Sequence, residues 1–275
     1  MSTLTMDSPL SPGEYFTMGL FLTAEGILGV LCCGVVLMSF LGNNNKMSPS
    51  RSSLVISLAL ADMGIAIMCP FAASASFTES WPFGETGCQT YAFFGMTFGI
   101  ASVTNLAALT VDIYHETQGH PAKSSSLLVM AIWVNALFWG VAPLNPIRWG
   151  RYTVEPFGTG CLLDFESRDI MYLAYLLVMV VVCFVIPVGA MIYCAINVKT
   201  CMVMTLSLLL YWGVYGIVAV AAGVGSASNV PIRLFALAPV VAKLAPIGNT
   251  ILVHWTNQQT STIGKATNQE GKKTK

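Results

Sequence analysis

The chain has 275 residues, of which 55% are hydrophobic and only 9% charged, and its mean hydropathy is +0.69. A soluble domain carries about 25% charged residues, so this composition excludes a water-soluble enzyme and describes a polytopic membrane protein. Thirteen basic and thirteen acidic residues cancel, which leaves no footprint for a nucleic acid.

In chain order, residues 1–15 lack the basic region and cleavage site of a signal peptide, so the first apolar run is expected to act as its own anchor. Seven such runs follow, at about 16–41, 53–76, 88–114, 126–143, 170–197, 201–224 and 232–255. None alternates like a strand, and the expected fold is an all-α bundle of seven transmembrane helices. The domain division is an N-terminal segment 1–15, a bundle 16–255 and a short polar tail 256–275, expected to be disordered.

Orientation follows from the excess of Lys and Arg on the cytosolic side. One set of loops and the tail carry Lys46, Arg51, Lys123, Lys199, Lys265, Lys272, Lys273 and Lys275; the other has Arg148, Arg151, Arg168 and Arg233, partly balanced by Glu155, Asp164, Glu166 and Asp169. Eight against four puts the N-terminus outside, whether the membrane is the plasma membrane or an internal one. Only Asn197–Thr200 are left to join the fifth and sixth spans.

Six cysteines (Cys32, Cys33, Cys69, Cys183, Cys194 and Cys201) fall inside or at the cytosolic ends of spans and read as small packing residues. Cys88 and Cys161 lie on the oxidising side and are expected to be bridged. There is no CxxC or metal spacing, and His115, His120 and His254 read as solvated edge residues. Glu25, Asp62 and Asp112 lie in or at spans and should face the bundle interior; Glu25 and Asp62 are expected to be hydrogen-bonded structural acids.

Lys243 is the least ordinary residue. It sits mid-span, about ten residues from either end of the seventh run, too deep to reach water. A lysine near the bilayer centre costs about 2.5–3.5 kcal/mol, and something must offset that. An internal ion pair of a transporter or receptor would do so. So would covalent chemistry, because an uncharged lysine attacks an aldehyde to give a Schiff base.

Ordered motifs then carry a resemblance. They are Leu58-Ala59-Leu60-Ala61-Asp62, Trp81-Pro82-Phe83-Gly84 before Gly87-Cys88-Gln89, Trp133, Pro187, Trp212-Gly213-Val214-Tyr215 and Ala242-Lys243. Over nearly its full length the chain resembles the opsins, the light-absorbing branch of the rhodopsin-like seven-helix family. Ala24-Glu25-Gly26, the stretch from Tyr152 to Asp164 and Ala242 to Pro246 bring it nearest the photoisomerase group: the retinal G-protein-coupled receptor, peropsin and retinochrome.

The resemblance implies retinal (retinaldehyde) as chromophore, held by Lys243 through a Schiff base. Trp212, Tyr215 and Gly99 would line its chain. Visual pigments place a glutamate three residues after the bridged cysteine of the third span; here Tyr91 stands there and Glu155 is the expected counterion, over the bland alternative of a loop acid paired with Arg148 or Arg151. The family's arginine after Asp112 is Ile113, its sixth-span proline is Val214, and its Asn-Pro-x-x-Tyr is Asn249 to Val253 without proline or tyrosine. The first-span asparagine is replaced by Cys33 or Gly34. The expected function is therefore a photoisomerase turning all-trans retinal to 11-cis, with G-protein coupling doubtful. A light-activated G-protein-coupled receptor and a retinoid-binding or transport protein are the rivals.

Overall fold

A computed structural model describes residues 10–41, 47–120, 126–165, 167, 169–225 and 230–273. Among them, six helical stretches are long and apolar enough to cross a bilayer: Pro12–Phe40, Pro49–Phe77, Gly84–Thr117, Ile170–Asn197, Lys199–Gly223 and Ile232–Gln259. Ser126–Val141 is a shorter apolar helix in the fourth position. Of the charges used for orientation, Lys46, Lys123, Glu166, Arg168 and Lys275 lie outside the described residues.

Local chemistry sets the boundaries. The second helix starts at Pro49, where a missing N–H costs nothing, and Ser48 caps it by accepting from the Arg51 N–H. Asp169 caps the fifth span in the same way through Met171. Only Val198 separates the helix Ile186–Asn197 from Lys199–Leu208, which is the short connection expected from the sequence.

The spans are not uniform rods. The fifth carries a π turn, Val181–Val185, just ahead of Pro187. The sixth carries another, Leu209–Gly213, just ahead of Val214. The loss of proline at 214 thus does not leave a regular helix, since a π turn is itself a recognised source of local irregularity. In the seventh span the helix Ile232–Lys243 stops at Leu244 and resumes at Ala245. Pro246 explains the break, because its ring cannot tolerate the carbonyl four residues back. Beyond 255 the expected disordered tail is instead a continuation of the helix to Lys273. No proline occurs from 256 to 273, so nothing in the sequence ends it.

A hairpin covers one end of the bundle. Strand β1 (Tyr152–Val154) pairs antiparallel with β2 (Cys161–Leu163), Val154 opposite Cys161. The Cys88–Cys161 disulfide, with a Cα–Cα distance of 5.3 Å, fastens it to the third span. Gln89 Nε2 donates to the Tyr152 carbonyl at 3.0 Å, and the Tyr152 hydroxyl donates to the Gly140 carbonyl at 2.8 Å. From the opposite side, the Tyr15 hydroxyl of the first helix donates to the Phe157 carbonyl at 2.8 Å. The hairpin is therefore a lid tied by four contacts to three helices.

Candidate functional site: an apolar cavity closed by a lysine and a buried acid

Beneath the lid lies a cavity of about 670 Å³, within the usual 300–1,000 Å³ range of small-molecule sites. Lys243, Tyr91, Glu155, Trp212, Tyr215 and Gly99, widely spaced in sequence, all line it. Most of the remaining wall is apolar, including Met68, Met96, Met179 and Phe184. These the sequence did not single out, because an apolar residue facing a cavity looks like one facing lipid.

Each polar group has a local reason for its place. Lys243 is the last residue before the Pro246-induced break, and its Nζ donates to the Pro239 carbonyl at 3.5 Å. That contact is at the outer limit of a hydrogen bond, so the backbone holds the amine weakly. Tyr91, 8% exposed, lines the same cavity, its phenol oxygen able to accept from the amine. Trp212 lies in the sixth-span π turn and Tyr215 just beyond it, and the two rings meet edge to face, their centroids 6.3 Å apart. A Cβ on Gly99 would lie 3.0 Å from the Trp212 ring, closer than ordinary contact, so glycine is what admits the indole.

Glu155 is not a solvated loop acid paired with Arg148 or Arg151. It is 7% exposed and sits inside the lid turn, where its N–H donates to the Gly160 carbonyl at 3.0 Å. Thr159 Oγ1 approaches its carboxylate at 3.4 Å, and Gly158 makes the turn possible with φ +77°. Burial pushes the Glu155 carboxyl up to about 7, against the opposing pull of the Lys243 charge and the Thr159 hydroxyl.

Two other buried acids, Asp62 and Asp112, lie elsewhere. Asp62, 1% exposed, accepts from Ser102 at 2.6 Å and from Asn249 at 2.9 Å, a structural network across three spans. Asp112 accepts from Arg51 Nε at 3.1 Å and from Ser50 at 3.4 Å, and Arg51 also pairs with Glu116. Sequence reading counted Arg51 as a loop charge, whereas it is only 6% exposed; its position one turn inside a capped helix start was the available signal.

The lining of the cavity fits retinal, the group that the sequence resemblance implies. Its apolar wall suits a polyene, one end offers a single primary amine with an acid and a phenol, and the buried Trp212 Nε1 has no hydrogen-bond partner among the described residues.

The fold and site define an integral membrane receptor of the seven-helix type. The profile of the 7 transmembrane receptor (rhodopsin family) matches residues 33–204. The human RPE-retinal G protein-coupled receptor is 31% identical over 86% of this chain and 86% of its own length. The mouse visual pigment-like receptor peropsin is 28% identical over 88% and 81%. The crystal structure of squid rhodopsin superposes with a TM-score of 0.82 at 21% identity, covering 92% of this chain and 85% of that one. The chain belongs to the rhodopsin family of seven-transmembrane receptors, among the opsins related to peropsin and the RPE-retinal receptor, and is a multi-pass membrane protein.

Proposed function

We propose that the protein is a retinal-binding opsin that works as a photoisomerase, turning all-trans retinal to 11-cis, with the lid outside and the Asp112 end in the cytosol. The observation that carries this reading is an amine, Lys243, lining an apolar cavity together with a buried carboxyl group, Glu155. Lys243 would hold the chromophore covalently through a Schiff base, and light absorbed there would supply the energy for the bond rotation. The protein then has no large ground-state barrier to lower; its work is orientation and electrostatics.

The residues divide that work. Lys243 fixes one end of the ligand. Trp212, Tyr215 and Gly99 shape the wall along which its chain lies. Glu155 supplies the negative charge that a buried cation at Nζ requires, and Tyr91 supplies a neutral hydrogen-bond partner on the same side. The lid covers one end of the cavity they line.

The same reading makes G-protein activation inefficient. Ile113 stands where the family has an arginine and is 1% exposed, so it offers a partner no charge. To test the reading, retinal-supplied membranes are illuminated, the retinal is extracted and its isomers are separated, with nucleotide exchange measured in parallel. Light should convert all-trans to 11-cis retinal with little exchange. Exchange comparable to a visual pigment would favour the receptor, and isomer ratios untouched by light would favour a retinoid carrier.

A further inference from the structure

The π turn of the sixth span, Leu209–Gly213, carries two consecutive aromatic rings, and each sits on a glycine of a different helix. Successive side chains leave a helix in different directions, so one ring can reach the third span and the other the seventh. Trp212 meets Gly99. Tyr211 meets Gly248, where an added Cβ would overlap the phenol, with Cζ only 2.5 Å away. Nothing larger than hydrogen fits at 248 unless the ring moves, which is the close approach that glycine permits.

Gly248 lies near the chemistry as well. It follows Lys243 by five residues, in the first turn beyond the break, where its N–H donates to the Leu244 carbonyl at 3.1 Å. The π turn also lies against the helix Ile232–Lys243. Two irregular segments therefore meet here, one bearing Trp212 and the other Lys243, and Tyr211 fits one into the other. Neither Tyr211 nor Gly248 lines the cavity, whereas Trp212 and Lys243 both do.

We propose that Tyr211 is a positioning residue of the retinal site: its ring, seated on Gly248, locks the sixth span to the seventh and fixes where Trp212 stands relative to Lys243. The role rests on reading Lys243 as the retinal lysine; the interlock itself does not. Helix breaks and π turns are where spans bend, so each segment alone would be a place of slack. A ring packed against backbone removes that slack, because close-packed interiors transmit displacement instead of absorbing it. With one end of the ligand fixed at the amine, the bond that turns depends on where the wall stands. A misplacement of about 1 Å is enough to spoil a productive geometry.

The full chain in membranes, with and without retinal, tests this in four variants: Gly248→Ala, Tyr211→Leu, Tyr211→Phe and the double variant Gly248→Ala with Tyr211→Leu. Gly248→Ala and Tyr211→Leu should each shift the visible maximum and lower the 11-cis share of the light product. The double variant should shift no further than the larger single one, since both remove the same contact. Tyr211→Phe keeps the ring and should keep the wild-type spectrum. The proposal is overturned if either single variant leaves spectrum and isomer ratio unchanged, or if the shifts add. It is also overturned if Tyr211→Phe moves the spectrum as far as Tyr211→Leu, because the hydroxyl and not the seated ring would then matter. Should Gly248→Ala form no pigment, melting of the retinal-free protein decides. Tyr211→Leu should then recover part of the midpoint that Gly248→Ala loses, and losses that simply add overturn the interlock. Wild-type chain that takes up no retinal would strike down the retinal reading and the positioning role with it, while recovery in the melting series would leave the interlock standing.

Discussion

The two ends of the bundle have been treated differently. Under the lid, the residues that the resemblance assigns to a pocket converge on one cavity, each held by neighbours that fix it: the disulfide for the lid, a proline break for Lys243, a glycine for Trp212. At the Asp112 end the family's arginine is gone, and a different one has taken its place. Arg51 reaches Asp112 from the second helix and ties it to the third, with both side chains 7% exposed. On the reading proposed above, the lid end carries the chemistry while this ion pair joins two helices at the other end, so the two should respond to different substitutions.

Five changes would break or sharpen that contrast. The largest is Lys243→Ala, which should abolish the retinal absorption band and the borohydride-reducible adduct while insertion stays intact. Next, Arg51→Ala should strike the opposite end alone. Removing one partner of a buried ion pair costs about 3–5 kcal/mol, so the thermal unfolding midpoint should fall clearly with the visible spectrum unmoved. A spectral change in that variant would mean that the two ends are coupled after all.

Glu155→Gln should reverse the pattern, with a modest change in stability and a large spectral one. Loss of a nearby opposite charge lowers the pKa of a buried cation by about 1–3, so near-neutral samples should pass from visible to ultraviolet absorption. In the retinal-free protein the same residue sets a pH dependence. Its folded pKa, about 7 against an ordinary 4.5, means that the folded chain binds more protons between those values. Stability should therefore fall as pH rises through that window, and melting curves of Glu155→Gln should lack that slope. The smallest effect is expected of Gly160→Ala, whose Cβ would sit 3.1 Å from the Glu155 carboxylate. It should displace the acid slightly and shift the absorption by a fraction of the glutamine variant's change.

Much of the lid end was legible because its residues are chemically conspicuous: a lysine deep in an apolar run, two cysteines on the oxidising side, an acid shortly before one of them. Hydropathy alone located the spans. What the sequence concealed depends on packing between distant segments. The burial of Glu155 needs the turn from Val154 to Cys161 to fold over it, and the role of Arg51 needs the third helix beside the second. The π turns were equally hidden, since Leu209–Gly213 contains no residue that demands one. The helical course of 256–273 was missed for the opposite reason, because polarity was read as disorder although no residue there stops a helix.

The lid's four fastenings also carry a consequence for time. Tyr15 belongs to the first helix, Cys88 and Gln89 to the third and Gly140 to the end of the fourth, while the hairpin they hold begins at Tyr152. A chain made from its N-terminus has completed every anchor before the hairpin emerges. The lid is the part that arrives last to a prepared frame, and Lys243 follows it by about eighty further residues. The roof of the pocket is thus synthesised before the amine that it will cover.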